Sequence, residues 1–251
     1  MSADAAVEAA ARLLDRARHA VALTGAGVST ESGLPDFRSP GGLWAGVDPM
    51  AVASLSAFQR APQAFYDFYR RRLALLRDAR PNPAHLALAR LEAAGRLQAV
   101  ITQNVDGLHQ AAGSRRVLEL HGSLHRAACA TCGARRPIAE LEAALDRGAL
   151  PVCPACGGLL RPDVVLFEEL LPADVYAEAE ALCRRADVLL VVGSSLQVTP
   201  AASLPEVTLE AGGRLIIVNQ EPTPLDHAAL VLRGRAGTIL PPLADRLLAA
   251  T

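Results

Sequence analysis

The chain has 251 residues, 51% of them hydrophobic and 20% charged, with a net charge of −1. That length and composition suit a folded chain with a substantial core and exclude a disordered one. The even charge balance argues against a general nucleic-acid binder, and no apolar run approaches the roughly 18 residues needed to cross a bilayer.

In chain order, Ala5–Arg18 has helical periodicity, with Val7, Ala10, Ala11 and Leu14 on one side. This N-terminal stretch carries acids and lacks the basic start and apolar centre of a signal peptide, so a cytoplasmic location is expected. Ala20–Leu23 reads as a first strand. It leads into TGAGVSTESGLPDFRS (Thr24–Ser39) and a loop marked by glycine and proline, SPGGLWAG (Ser39–Gly46). Asp48–Arg80 is predicted to be mostly helical, with Pro49 and Pro62 at helix starts. Asn82–Gly95 reads as a helix with Asn82 as N-cap, Pro83 in the first turn and Gly95 as C-cap. Leu97–Ile101 and Val117–Leu120 read as strands, and Cys129–Cys156 as a cysteine-bearing insert. Ala173–Arg185 is a predicted helix, Val188–Val192 a strand, Leu204–Ala211 a helix, Leu215–Val218 a strand and Ile239–Ala250 a closing helix. Strands alternating with helices predict an α/β fold whose mostly parallel sheet is covered on both faces.

Cys129-x-x-Cys132 and Cys153-x-x-Cys156, 20 residues apart, have the spacing of a zinc site. Each short loop can point two sulfurs at one ion, and four protein ligands leave no position for water or substrate. One structural Zn2+ is therefore expected. A ribbon that binds nucleic acid is disfavoured, because Arg126, Arg135 and Arg136 are offset by Glu140 and Glu142, with no aromatic residue among them. Cys183, on a predicted helix beside Leu182, reads as a core residue.

Gly25-x-Gly27 behind a strand suits close approach of backbone to a pyrophosphate. It is not a dehydrogenase fingerprint: Thr30 stands where the third glycine belongs, and no second strand ending in an acid follows. Three more polar stretches follow strands: ITQNVDGLH (Ile101–His109), GSSLQVTP (Gly193–Pro200) and NQEPTPLD (Asn219–Asp226). In a parallel sheet all four lie on the carboxyl rim, where ligands of open α/β sheets bind.

GAGVSTESGLPDFRS, TQNVDGLH, ELHGSLHRAAC, the two CxxC pairs, RPDVVLFEELLP, GSSLQVTPA and VNQEPTPLD occur in the order seen in sirtuins, NAD-dependent protein-lysine deacylases. The resemblance runs from about Ala11 to Asp245. It implies a Rossmann-like domain (1–37, 82–123 and 161–251) and a small domain. The small domain would combine a helical module with the cofactor loop (38–81) and a zinc-ribbon module (124–160). NAD would be a co-substrate that is cut: the acyl oxygen displaces nicotinamide, and the imidate collapses to lysine and O-acyl-ADP-ribose.

By the same resemblance, His121 is the general base, with Asn104 and Asp106 beside it in the catalytic set. A base for a ribose hydroxyl must titrate near neutrality, as histidine does. His19, His85 and His227 read as surface or helix-packing residues, His109 as structural and His125 as part of the zinc module. The implied NAD contacts are Gly25, Ala26, Gly27, Thr30, Asp36, Phe37, Arg38, Trp44, Gln103, Asn104, Val105, Asp106, Gly193, Ser194, Ser195, Asn219, Gln220 and Ala236. The implied peptide contacts are Val164, Val165, Phe167 and Glu168. The partners are acylated-lysine proteins, with no membrane and no specific nucleic acid.

Two departures matter. Sirtuins usually read Phe-Gly-Glu where this chain has Phe167-Glu168-Glu169, which adds a charge beside the expected peptide strand. Sirtuins that remove succinyl or malonyl groups carry Tyr-x-x-Arg on the small-domain helix, and here the stretch is FYDFYRRR (Phe65–Arg72). Tyr66 is followed at that spacing by Tyr69; Tyr69-x-x-Arg72 lies a turn later, and Tyr66 and Arg70 share a helix face. Acetyl or another neutral acyl group is therefore expected. Protein mono-ADP-ribosyl transfer stays open as a side activity. A regulatory module that binds NAD without turnover also stays open, although Asn104, Asp106 and His121 together argue against it.

Overall fold

The structure is a computed structural model that describes residues 2–37, 39 and 41–249. Helix α1 (Ala3–Arg16) and strand β1 (Ala20–Thr24) open the chain. Three helices follow, α2 (Pro49–Val52), α3 (Leu55–Arg60) and α4 (Pro62–Asp78), and then α5 (Pro83–Ala93). Next come β2 (Val100–Thr102), α6 (Leu108–Ala111), β3 (Val117–Glu119), β4 (Gly122–Cys129), β5 (Arg135–Pro137), α7 (Ile138–Asp146) and β6 (Leu160–Val164). The chain continues through α8 (Ala173–Arg185), β7 (Val188–Val192), α9 (Leu204–Glu210), β8 (Arg214–Asn219), β9 (Ala229–Arg233) and α10 (Ala236–Ala249).

Among the described residues the strands form two sheets. Six parallel strands run in the order β3-β2-β1-β7-β8-β9. Successive side chains of a strand point to opposite faces, and both faces are covered. On one face, Ala22, Val188, Leu190, Ile216 and Val218 pack with Leu14 of α1, Leu88 of α5 and Leu243 of α10. On the other, Val21, Leu23, Leu189, Val191 and Ile217 pack with Leu182 of α8 and Leu204 of α9. The unbroken apolar run of β7 reflects this double burial. The α/β expectation is met.

The second sheet is antiparallel, in the order β5-β4-β6. It spans residues 122–164, beyond the expected 124–160 at both ends. Phe58, Phe65, Tyr66, Phe68, Tyr69 and Leu73 of the helical module share one core with Leu124, Cys129, Leu141, Cys153 and Leu160 of this ribbon. The two modules therefore form one unit although the chain between them builds part of the large sheet.

The departures from the sequence reading have physical reasons. β4 is not marked in the sequence because a register shift between Ser123 and Ala127 breaks its alternation. β9 lies on the sheet edge with a half-exposed pattern. α10 begins three residues before the expected Ile239 and runs through Pro241 and Pro242.

Candidate active site and metal centre

The sheet order reverses between β1 and β7, the point where ligands of open α/β sheets bind. There the loops after these strands touch. Gly25 N–H donates to Val192 O at 3.0 Å, and Gly27 N–H to Gly193 O at 2.8 Å. A Cβ on Gly27 would lie 2.8 Å from Gly193 O, and one on Gly193 would lie 2.3 Å from Val28 N. The immediate reason for the Gly-x-Gly spacing is thus the neighbouring loop. The same bareness leaves a backbone rim of the kind a pyrophosphate needs.

Beside this rim opens a cleft. Ala26, Ser29, Asn104, Val105 and Asp106 line it from the sheet, Leu34, Pro35, Phe37 and Leu43 from the following loop, Arg72, Leu75 and Leu76 from α4, and Leu124 from β4. Asn104 and Asp106 are 6% and 7% exposed, so each must find partners inside. Ser29 supplies them. Its hydroxyl donates to Asp106 Oδ2 at 2.7 Å and accepts from Asn104 Nδ2 at 3.1 Å. Asn104 Nδ2 also donates to Gly25 O at 3.1 Å, and Leu108 N–H donates to Asp106 Oδ1 at 3.0 Å.

Two buried histidines lie beneath this cluster. Asn82 N–H donates to His85 Nδ1, so the proton of His85 is on Nε2, which faces Ser29 Oγ at 3.4 Å. Thr24 gives its hydroxyl proton to Thr102, so it accepts from His109 Nε2 at 2.9 Å. His109 Nδ1 is then a bare acceptor, without a partner among the described residues. Burial first, and the nearby His85 second, push His109 down to about 3. Both rings are neutral struts at physiological pH, in line with the reading of His109 as structural and His85 as helix-packing.

His121 follows β3 and is half-buried. Its Nδ1 lies 2.8 Å from Gln103 O. A carbonyl can only accept, so Nδ1 carries the proton and Nε2 holds the free lone pair. Burial lowers the His121 pKa, partly offset by the bond to Gln103. Gln103 Nε2 donates to Ser194 Oγ at 3.0 Å, which ties the β2 and β7 loops together. His121 does not line the cleft itself; Gln103, next to Asn104, connects it.

The other expected NAD contacts divide into groups. Thr30 Oγ1 donates to Gly27 O, and Asp36 accepts from Ser39 N–H. Phe37 stacks on Trp44 with centroids 5.6 Å apart. Arg38 lies outside the described residues. Ser195 is half-buried beside Ser194. Asn219, Gln220 and Ala236 stand further along the rim, at the end of β8 and the start of α10, and none lines the cleft. Asn219 Nδ2 is used within its own loop, on Glu221 O.

Several residues of the site do not stand out from sequence. Ser29 is the most consequential, and its signal is present: it stands inside the GAGVS motif, two residues beyond the second glycine. Thr24 and Thr102 escape because each reads as an ordinary strand residue.

The sequence profile of the Sir2 family matches residues 25–200. An NAD-dependent protein deacylase of Thermococcus kodakarensis is 49% identical over 242 residues, covering 95% of this chain and 94% of that protein. An NAD-dependent protein deacetylase of Pyrobaculum aerophilum is 49% identical over 238 residues, 94% of this chain and 93% of its own length. The chain belongs to the Sir2 family. Among solved structures, a Sir2 homologue in complex with NAD superposes with a TM-score of 0.91 at 43% identity, covering 97% of this chain and 94% of that one. A Sir2 complex with a p53 peptide and NAD+ gives 0.85 at 40% identity, with 95% of each chain covered.

In this Sir2 chain the four expected metal ligands converge. The Cys129 and Cys156 sulfurs are 3.5 Å apart, those of Cys132 and Cys153 3.9 Å, and all four lie within 4.8 Å of one another. A tetrahedron with Zn–S bonds near 2.3 Å has S···S edges of about 3.8 Å, so the cluster fits a zinc ion. Cys183 is fully buried, in agreement with its reading as core.

The four residues expected to meet the peptide differ in exposure and partners. Val164 is buried in the small-domain core and pairs with Gly122 in the ribbon. Val165 N–H donates to His121 O at 2.9 Å, and Phe167 is 44% exposed. The exposed Glu168 carboxylate is held in place: it accepts from Ser56 N–H at 2.8 Å and from the Ser56 hydroxyl at 2.7 Å. Tyr66 turns away from the cleft and donates to Leu160 O at 2.7 Å. Tyr69, by contrast, packs its ring 5.6 Å from the guanidinium of Arg72, which lines the cleft.

Proposed function

We propose that the chain is an NAD-dependent protein-lysine deacylase whose NAD is a co-substrate cut at the ribose–nicotinamide bond. The observation that carries this reading is the tautomer of His121. With Nδ1–H donated to Gln103 O, Nε2 is left to accept a proton, and burial keeps the ring in its base form at neutral pH. NAD supplies the ribosyl centre from which nicotinamide leaves. Asn104 and Asp106 hold fixed polar atoms on the cleft wall through Ser29, and the bare backbone around Gly25, Gly27 and Gly193 offers the phosphate rim. Phe37 and Trp44 stand on the loop that would cover the ribose, and Val165 and Phe167 on the segment that would pair with the peptide. The relatives named as deacylases and deacetylases support the same assignment.

No acyl-lysine can come from these 251 residues. The 25 residues counted as Lys or Arg are all arginine, and none of the 251 is lysine. The four thiols would hold one structural Zn2+, leaving no open position for chemistry. Unpaired thiols arranged for a metal suit a reducing, cytoplasmic setting. No helix among the described residues is long and apolar enough to cross a membrane.

Acetyl is the acyl group read from sequence. A second reading is favoured by Arg72. Its guanidinium lines the cleft among leucines, lies 5.6–6.0 Å from the ring centroids of Tyr69, Phe68 and Phe37, and has no carboxylate within ion-pair distance among the described residues. A cation in such a wall suits an acyl group ending in a carboxylate. The test is mass spectrometry of the products from acetyl-, succinyl- and glutaryl-lysine peptides with NAD. Deacylated peptide with O-acyl-ADP-ribose supports the proposal. Nicotinamide release that needs no acylated peptide would replace it with ADP-ribosyl transfer, and binding of NAD without any release would reduce the chain to a regulatory module.

A further inference from the structure

Glu168 has a backbone φ of +75°, and Leu196 is the only other non-glycine among the described residues in that region. A side chain in the left-handed region is disfavoured unless its surroundings fix it. Here they do. The carboxylate takes both donors of Ser56: the N–H reaches Oε2 at 2.8 Å, and the hydroxyl shares its one proton between Oε1 at 2.7 Å and Oε2 at 2.6 Å. Ser56 lies in the first turn of α3, where backbone N–H groups lack helical partners.

The contact is one of several that pin this segment. Phe167 N–H donates to Ala53 O, and Leu55 N–H donates to Phe167 O, both at 3.1 Å. Glu169 does the opposite job: it pairs with Arg161 at 2.8 Å and accepts from Leu166 N–H at 2.9 Å, holding the segment to β6. Phe167, between these anchors, meets the Trp44 ring at a centroid distance of 6.0 Å. Trp44 stacks in turn on Phe37 and Phe68, each at 5.6 Å.

We propose that Glu168 is a positioning residue for the acylated peptide: by clasping Ser56 it fixes Val165–Phe167 against the helical module and sets Phe167 on Trp44. The proposal rests on the deacylase reading, because it takes this segment as the one that receives the peptide. It replaces the reading of Glu168 as a charge facing the substrate. The side chain that makes the departure from Phe-Gly-Glu tolerable acts through Ser56, on backbone geometry.

The test uses Glu168→Gln, Ser56→Ala and the double variant in the full chain. Steady-state kinetics are measured with acetyl-lysine peptides carrying acidic or basic flanks. Trp44, the only tryptophan, reports separately through acrylamide quenching. Each single variant is expected to raise the peptide KM by about tenfold, the scale of a lost hydrogen bond to a charged group. The KM for NAD and kcat should move much less. The double variant should be no worse than the poorer single one, since both remove one interaction, and quenching of Trp44 should increase in all three. The effect should be the same for both flanks. Wild-type peptide KM in Ser56→Ala, additive losses, unchanged quenching, or an effect confined to one flank charge would each overturn the proposal. If the wild-type protein turns over no acylated peptide, the deacylase reading itself falls, and the quenching comparison still decides whether the clasp orders Trp44.

Discussion

Replacing Arg72 by methionine keeps most of the stem and removes the charge from the cleft wall. Two unit charges about 4 Å apart at an effective dielectric constant of about 20 interact by about 4 kcal/mol. Removing one partner of a desolvated, hydrogen-bonded pair costs about 2–5 kcal/mol in practice. At 1.36 kcal/mol per factor of ten, that is a loss of about 30- to 5,000-fold in kcat/KM for a succinyl- or glutaryl-lysine peptide. The guanidinium also lies near three aromatic rings, 5.6 Å from the centroid of Tyr69, 5.8 Å from Phe68 and 6.0 Å from Phe37. Those contacts are worth about 0.5–1 kcal/mol each when exposed, so a modest fall in melting temperature is expected. An acetyl group offers the guanidinium no charge, so kcat/KM for an acetyl peptide of the same sequence should change by no more than about threefold, well under the charge effect. The assay is the ratio of kcat/KM for succinyl to acetyl peptide, measured for both proteins. The same ratio in both would show that Arg72 does not meet the acyl group, and the neutral-acyl reading would then stand alone.

His121→Asn is expected to lower kcat by about 10²–10⁴-fold while NAD binding, followed by calorimetry, is kept; retention of a tenth of the wild-type rate would remove His121 from the role of base. Because burial lowers the His121 pKa, the base form persists below the ordinary value near 6.5, so the acid limb of the kcat/KM profile should fall below about pH 6.5 with a plateau through neutrality. A limb centred above that value would contradict the geometry. Cys153→Ser is expected to lose zinc and unfold the small domain. Structural zinc contributes about 10–16 kcal/mol in small metal-bound folds, against about 5–15 kcal/mol for the whole stability of a domain, and Cys153 is itself part of the shared core. Metal content and thermal melting check this; a stable, active, zinc-free variant would refute it.

Legibility in the sequence follows how local each signal is. Val188–Val192 and Ala173–Arg185 are readable to the residue because one is a run buried on both faces and the other is amphipathic. The four cysteines are readable because their spacing alone brings sulfurs together. The switch point is harder. The four polar loops can be placed on one rim, but the contact of Gly27 with Gly193 depends on β1 lying beside β7, a pairing of residues far apart in the chain. The α4 wall of the cleft is harder still. Tyr66 and Tyr69 are both buried aromatic residues of α4, and only packing decides that Tyr66 donates to Leu160 while Tyr69 meets Arg72 at the cleft. Glu168 shows the same limit: its hold on Ser56, 112 residues away in the chain, has no local signal in the sequence.

The close contact at the switch point leads to a paired expectation for two glycines with positive φ. Gly33 has φ +82° and nothing within 4 Å of the place a Cβ would take, so Gly33→Ala meets only the left-handed backbone cost of about 1–2 kcal/mol. Gly193 has φ +60°, and a Cβ there would fall 2.3 Å from Val28 N and 2.5 Å from Gly27 C. Those are backbone atoms, which cannot swing aside as a side-chain end can, so the two loops must part. Overpacking adds about 1–3 kcal/mol to the left-handed cost, which puts Gly193→Ala at about 2–5 kcal/mol in total. The displacement also acts on Gly27, whose N–H bonds Gly193 O. The KM for NAD should therefore rise in Gly193→Ala and stay near the wild-type value in Gly33→Ala. Denaturant unfolding gives the two stabilities, and nicotinamide release at varied NAD gives the two KM values. Equal losses of stability in the two variants, or an unchanged KM for NAD in Gly193→Ala, would mean that the rim is loose enough to absorb a methyl group and that the glycines serve only backbone conformation.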